Sequence, residues 1–191
     1  GIARLQRMDA PIVAAIHGVC AGGMAGMVAG ADIVVASDDA RFVAAFAGIG
    51  FSNDSGSSIM YARRMGIARA RKFLLMNETL SANEALAAGL VDEVVGPEAL
   101  VARAETIAKQ LAGGPTKAFG EMRRLLTSVE DQPLEAQLEL AVALRQLVVR
   151  QPEAGEPVHE GGLEDLLLAI EGVAGQPDQL VLGEAQGAGV V

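Results

Sequence analysis

Two adjacent glycines, Gly22 and Gly23, lie in the stretch of this chain where backbone amides are best placed to bind a ligand. They follow an apolar run rich in β-branched residues (11–16) and precede a helical spacing of apolar residues from Met24 onward. This order predicts a strand, a small-residue turn over 19–23 and a helix start. Backbone N–H groups at a helix start lack intrahelical partners, and glycines let a ligand atom approach them closely. The turn could bind a phosphate or the oxyanion of an activated carbonyl, or it could serve only to pack a strand against a helix.

A polar stretch, residues 52–58, includes the start of the next predicted helix, over 56–65. It contains Asp54 and Ser55, and either of them is a suitable N-cap for that helix. The residues alone therefore predict a structural role for Asp54.

Glycines, prolines and capping residues divide the remainder of the chain. Apolar runs predict strands over 33–36, 41–43 and 91–95. Helices are predicted over 67–76, 81–88, 97–112, 115–128 and 133–150, and the second of these starts at a Ser81–Glu84 capping box. In the first helix an apolar stripe is expected to contain Met24, Met27, Val28 and Ala31.

Composition excludes several classes of function. The net charge of −9 over 191 residues argues against a nucleic-acid partner. No apolar run is long enough to cross a bilayer, and no signal peptide is recognisable. The single cysteine, Cys20, cannot form an internal disulfide, is expected to be buried, and suits a reducing, cytoplasmic location. His17 and His159 are too isolated to suggest a metal site.

Three stretches together resemble the crotonase (enoyl-CoA hydratase/isomerase) superfamily: PIVAAIHGVCAGGMAGMVAGADIVVAS, RFVAAFAGIGFSNDSGSSIMYARRMG and ARARKFLLMNETLSANEALAAGLVDEVV. The resemblance implies an α/β fold with a partial ββα superhelix core over 1–112 and a helical trimerisation region over 113–150. In this family further residues precede the first stretch, including strands that supply a second oxyanion donor and part of the CoA site. We therefore expect this chain to be an amino-terminally truncated fragment.

The last stretch, 151–191, does not continue the resemblance. It is acidic and rich in Gly, Pro and Ala, and it lacks the closing basic helix of the family. Residues 163–170 could form a short amphipathic helix, and the remainder is expected to be weakly structured. The stretch is either a divergent tail or a frame-altered end.

The resemblance also assigns chemistry to particular positions. It implies that the Gly23 N–H stabilises a thioester oxyanion. The two glutamates of the family's hydratases correspond here to Gly26 and Phe46, which cannot shuttle protons. Asp54 corresponds to the aspartate of the isomerase branches, although Asn53 replaces the proline that commonly precedes it.

The function implied is an acyl-CoA double-bond isomerase in which Asp54 carries the proton. Gly22, Phe46 and Phe51 are candidate substrate contacts, and Phe46, Phe51, Ile59 and Met60 could give Asp54 an apolar setting or could simply be core. The family needs no cofactor beyond the coenzyme A of its substrate, and it implies a homotrimer or hexamer. Two alternatives stay open: a hydratase-like enzyme that uses Asp54 in another role, and a catalytically silent acyl-CoA-binding subunit.

Overall fold

The computed structural model describes residues 2–149 and 167–170. Eight α-helices lie in these ranges: α1 (Ile2–Leu5), α2 (Gly22–Ala29), α3 (Ser57–Met65), α4 (Ile67–Leu75), α5 (Ala82–Ala87), α6 (Leu100–Ala112), α7 (Thr116–Ser128) and α8 (Leu134–Val149). Seven strands lie there as well: β1 (Val13–Ile16), β2 (Val19–Ala21), β3 (Ile33–Ser37), β4 (Arg41–Val43), β5 (Thr79–Ser81), β6 (Glu93–Val95) and β7 (Leu167–Ile170). The predicted α/β class is confirmed.

The strands form two sheets. The larger is parallel in the order β6-β3-β1-β7, with Val13 beside Ile33 and beside Leu167. The smaller has the order β2-β4-β5, where β2 and β4 are parallel and β5 is antiparallel. Because β1 belongs to one sheet and β2 to the other, the short link at His17 and Gly18 carries the chain between them.

The larger sheet is covered on both faces. Ala14 and Ile16 of β1 join a core formed with α2, α3, α4 and the smaller sheet. Val13 and Ala15 of the same strand join a second core against α6. A strand buried on both faces needs a continuous apolar run rather than an alternating one, which explains the sequence of β1.

Two sequence predictions about elements near the glycines were wrong. Residues 19–21 form β2 rather than a turn, and α2 begins at Gly22 rather than at Met24. The buried face of α2 contains Ala25, Gly26, Val28 and Ala29, whereas Met24 and Met27 are only partly buried. Small residues face the core here because another helix, α3, packs closely against them.

The prediction of a helix over 163–170 is also wrong for residues 167–170, the part of that range that the structure describes. Leu167–Ile170 is a strand that pairs with β1 in parallel. Four consecutive apolar residues suit either a short helix or a buried strand, and the open edge of β1 selects the strand. The rest of the predicted tail, 151–166 and 171–191, lies outside the described residues.

The other boundaries agree well with the sequence. The capping box at Ser81 and Glu84 is formed, since Glu84 N donates to Ser81 Oγ and the Glu84 carboxylate accepts from Ser81 N. Pro115 precedes α7 as expected. In the part of the chain that the structure describes, no helix has the length and apolar character that a bilayer span requires.

Candidate functional site

β2 passes directly into α2 at Gly22 and Gly23, the two residues that we call the glycine turn. Gly22 has φ +58°, a left-handed conformation that favours glycine. Ala21 precedes the helix in an extended conformation and offers no side-chain cap to the first N–H groups. Tyr61 of α3, fully buried, donates a long hydrogen bond of 3.4 Å to the Gly22 carbonyl. The turn is therefore attached to α3, while the amides at its helix start remain uncapped by side chains.

The structure brings Asp54 to this turn. A Cβ placed on Gly23 would lie 3.3 Å from Asp54 Oδ1 and 3.1 Å from Ser55 Oγ. The carboxylate thus stands next to the amino-terminal end of α2, where the helix dipole stabilises negative charge. Gly23 and Asp54, singled out separately in the sequence, form one site.

Asp54 does not cap α3, so the N-cap prediction for Asp54 or Ser55 is wrong. The N-cap is Gly56, and no side chain bonds to the first amides of the helix. Ser55 and Gly56 both have left-handed backbone conformations, with φ +54° and +70°. Because of these two residues, Asp54 faces α3 through its backbone carbonyl alone. That carbonyl accepts the amide of Ser57 at 2.9 Å. Within residues 2–149 no hydrogen bond engages the exposed Asp54 carboxylate, which is available for chemistry.

The position of the first hydratase glutamate has no room for a side chain. A Cβ on Gly26 would lie 2.5 Å from Ser57 Cβ and 3.1 Å from Ser57 Cα. Glycine at this position lets α2 and α3 approach each other closely. Phe46, at the second position, is 7% exposed and packs into the interior. A carboxylate at position 26 would require rearrangement of these contacts, and Phe46 supplies none at the second position.

The apolar setting expected for Asp54 stays a prediction. Phe46 and Met60 are buried, whereas Phe51 and Ile59 are exposed at 70% and 44%. The loop that carries Phe46 and Phe51 is closed on itself, because the amide of Phe51 donates to the Phe46 carbonyl at 3.0 Å. An exposed phenylalanine on such a loop is suited to contacting a bound acyl group, and the roles of Gly22, Phe46 and Phe51 as substrate contacts stay predictions.

Cys20 takes no part in the site. It is 3% exposed, as predicted, and burial raises the pKa of its thiol to about 12. Such a thiol remains protonated and unreactive at neutral pH. Among the described residues no group of His, Cys, Asp or Glu side chains could hold a metal ion, and His159 lies outside them.

A cleft of about 350 Å³ lies near the opposite end of α2. Its arginines are held by structural contacts: Arg64 donates to the Ala31 carbonyl at 2.7 Å and pairs with Asp92 at 2.8 Å. Arg123 pairs with Asp32 at 2.9 Å. These cations neutralise carboxylates and carbonyls of the fold, so the cleft offers little net positive charge to an anion.

Sequence reasoning missed the contacts that hold Asp54 in place. Ser57 donates through Oγ to the Asp54 carbonyl at 2.7 Å and accepts from Asn53 Nδ2 at 3.2 Å. Asn53, at the position of the family's common proline, therefore bonds to the residue that closes the loop. The run of small polar residues around Asp54 gave no signal that would separate Ser57 from Ser55 or Ser58.

Comparisons with known proteins identify the family of the chain. A family model described as Enoyl-CoA hydratase/isomerase matches residues 1–161. The 1,2-epoxyphenylacetyl-CoA isomerase of Escherichia coli (strain K12) is 34% identical over 157 residues, covering 82% of this chain and 60% of that protein. The 4-chlorobenzoyl coenzyme A dehalogenase-1 of Arthrobacter sp is 37% identical over 132 residues, covering 69% of this chain and 48% of that protein.

A solved structure shows the same likeness in three dimensions. An enoyl-CoA hydratase/isomerase from Cupriavidus metallidurans CH34 superposes with a TM-score of 0.76 at 30% identity, covering 80% of this chain and 57% of that one. The chain therefore spans between about half and three fifths of the length of the proteins that it matches.

Proposed function

The chain belongs to the enoyl-CoA hydratase/isomerase family and has its crotonase-like α/β fold, and from that premise we propose that it is an acyl-CoA double-bond isomerase. One observation carries the proposal: the Asp54 carboxylate lies beside Gly23 at the start of α2, with a Cβ on Gly23 only 3.3 Å from Asp54 Oδ1. An oxyanion donor and a proton carrier are thereby adjacent. These are the two groups that a proton shift next to a thioester requires.

The proposed reaction is a 1,3-proton shift on a 3-enoyl-CoA. The thioester oxygen accepts a hydrogen bond from the Gly23 N–H. Asp54 removes a proton from C2, and the electron pair of the C–H bond moves into an enolate whose negative charge the helix start stabilises. Asp54 then returns the proton at C4 as the double bond moves to C2–C3. The substrate and the product have the same composition, so one carboxylate and no water suffice.

The geometry disfavours hydration by two carboxylates. Gly26 has no space for a side chain, and Phe46 is buried. The relatives nevertheless include a dehalogenase as well as an isomerase, which shows that one framework serves different chemistries on CoA thioesters.

A second candidate is the catalytically silent acyl-CoA-binding subunit. The exposure of Asp54 and Phe51 favours it, because a proton carrier is more effective when it is shielded from water. The two candidates differ in whether the substrate is converted.

The experiment is a product assay on the full-length protein. A 3-enoyl-CoA is incubated with the enzyme, and the products are separated by chromatography. An isomerase yields 2-enoyl-CoA without 3-hydroxyacyl-CoA. Formation of 3-hydroxyacyl-CoA supports the hydratase-like alternative, and binding without conversion supports the silent subunit.

A further inference from the structure

Ser57 is a polar side chain in a fully buried position. It is the first residue of α3 and has no exposed surface. Its Oγ donates to the Asp54 carbonyl at 2.7 Å, and its amide donates to the same oxygen at 2.9 Å. The hydroxyl oxygen also accepts from Asn53 Nδ2 at 3.2 Å. The hydroxyl and the amide of Ser57 thus both close the loop that presents Asp54.

The other side of Ser57 contacts the helix that carries Gly23. Its Cβ lies where a side chain on Gly26 would have to be, at 2.5 Å from a Cβ placed there. Gly26 is one helical turn beyond Gly23 in α2, so both residues move as one rigid unit. Ser57 therefore contacts the element of the oxyanion donor on one side and the backbone of the proton carrier on the other.

The loop needs such a restraint because of its backbone conformation. Ser55 has φ +54° and Gly56 has φ +70°. A left-handed conformation at a non-glycine residue is unfavourable unless its surroundings fix it. The double contact of Ser57 with the Asp54 carbonyl spans these two residues and holds them in the turn.

We propose that Ser57 is the positioning residue of this site, setting the Asp54 carboxylate beside Gly23 through the packing of α3 on Gly26. This inference rests on the proposed function. Asn53 has a supporting role, since it orients the Ser57 hydroxyl. A displacement of the reacting groups by about 1 Å lowers the rate of proton transfer by up to about 100-fold. A loop that holds Asp54 in place therefore contributes a large part of the catalytic rate.

The test is Ser57→Ala, which keeps the Cβ that packs on Gly26 and removes the hydroxyl. We expect kcat for the double-bond shift to fall by about 10- to 100-fold while KM changes by less than about 2-fold, because the substrate contacts remain. Ser58→Ala is the matched control: Ser58 is the next residue of α3 and is exposed, and its variant is expected to retain the parent kcat. Asn53→Ala should lower kcat in the same direction by a smaller factor.

A crystal structure of the Ser57→Ala variant provides a readout that does not depend on activity. We expect Asp54 Oδ1 to move away from Gly23 by about 1 Å or more relative to the parent. If Ser57→Ala does not fold, Asn53→Ala supplies both readouts.

The outcomes separate this inference from the proposed function. Ser57→Ala with the parent kcat overturns the positioning role, and a loss of rate in Asp54→Asn then leaves the isomerase proposal standing. If Asp54→Asn keeps the parent rate, the isomerase proposal fails and the crystal structure alone decides about Ser57. An unmoved Asp54 in that structure overturns the positioning role.

Discussion

At the scale of single residues, the proposed site consists of Gly23 and Asp54, which α2 and the loop before α3 bring side by side. Gly23 contributes no side chain, which is why Asp54 Oδ1 and Ser55 Oγ can come within 3.3 and 3.1 Å of the position that its Cβ would occupy. The helix start supplies partial positive charge without bringing in a cation that would pair with Asp54. In the proposed reaction the helix start stabilises the negative charge that develops on a thioester oxygen, and the carboxylate carries the proton.

The sequence singled out these two residues, whose roles stay predictions, but it did not indicate their surroundings. Consecutive glycines before a helical pattern fit a backbone site or a simple packing turn, and the family resemblance is what assigned the oxyanion role to Gly23. Asp54 was found through resemblance, since its local pattern favoured a cap that the structure does not form. Left-handed φ values at Ser55 and Gly56 decide that outcome, and a serine gives little warning of such a conformation.

The role of the Gly23 amide can be tested with a pair of substitutions. Gly23→Pro removes the N–H group, whereas Gly23→Ala keeps it and introduces similar crowding near Ser55. We expect the proline variant to turn over about 10²–10³ times more slowly than the alanine variant, because an oxyanion donor contributes about 2.7–4 kcal/mol. Steady-state kinetics of both variants, each with a melting curve, measure the difference. Equal rates in two folded variants would rule out Gly23 as a donor.

At the scale of elements, the contact of α2 with α3 brings the two halves of the site together. The contact is close because Gly26 faces Ser57, and Tyr61 of the same α3 reaches the Gly22 carbonyl. Periodicity predicted both helices, but it placed methionines on the buried face of α2 where alanine and glycine are found. Helix–helix distance depends on the partner element, which a pattern within one helix does not report.

The close contact predicts an unusual response to a small change. Gly26→Ala would normally stabilise a helix by about 0.8–1.0 kcal/mol through propensity. Here its Cβ would lie 2.5 Å from Ser57 Cβ, an atom that cannot swing away. Overpacking costs about 1–3 kcal/mol, so we expect a net loss of stability in denaturant unfolding.

Gly113→Ala is the matched control for that substitution. Gly113 ends α6 in a right-handed conformation, and a Cβ there would meet its nearest atoms at 3.7 Å. The unfolding free energy of the Gly113→Ala variant is expected to differ from that of the parent by less than about 0.5 kcal/mol. A stabilised Gly26→Ala variant would show that α2 and α3 are not in tight contact.

At the scale of the whole molecule, α8 presents an apolar surface. Leu134, Leu138 and Val142 recur at four-residue spacing and are 69%, 59% and 58% exposed. One contact of α8 with α7 is the hydrogen bond from Gln137 to Ser128, at 3.0 Å. An apolar stripe of this kind is unfavourable in water and is typical of a surface that another protein covers.

We therefore expect the 191-residue chain to self-associate through α8. Light scattering after gel filtration should show a mass that rises with concentration, and Leu138→Lys should lower it. Val101→Lys is the control, because Val101 is 57% exposed on α6, away from this stripe. A monomeric mass for the parent at every concentration would contradict the prediction and the oligomer that the family resemblance implies.

The central claim is that Asp54 carries the proton of a double-bond shift, and Asp54→Asn tests it most directly. The substitution keeps the size of an exposed side chain that caps no helix, so the melting temperature should hardly change. Loss of the general acid/base should slow conversion of 3-enoyl-CoA to 2-enoyl-CoA by about 10²–10⁴-fold in the full-length protein. If Asp54→Asn isomerises at the parent rate, or if the parent makes 3-hydroxyacyl-CoA instead, the claim is wrong.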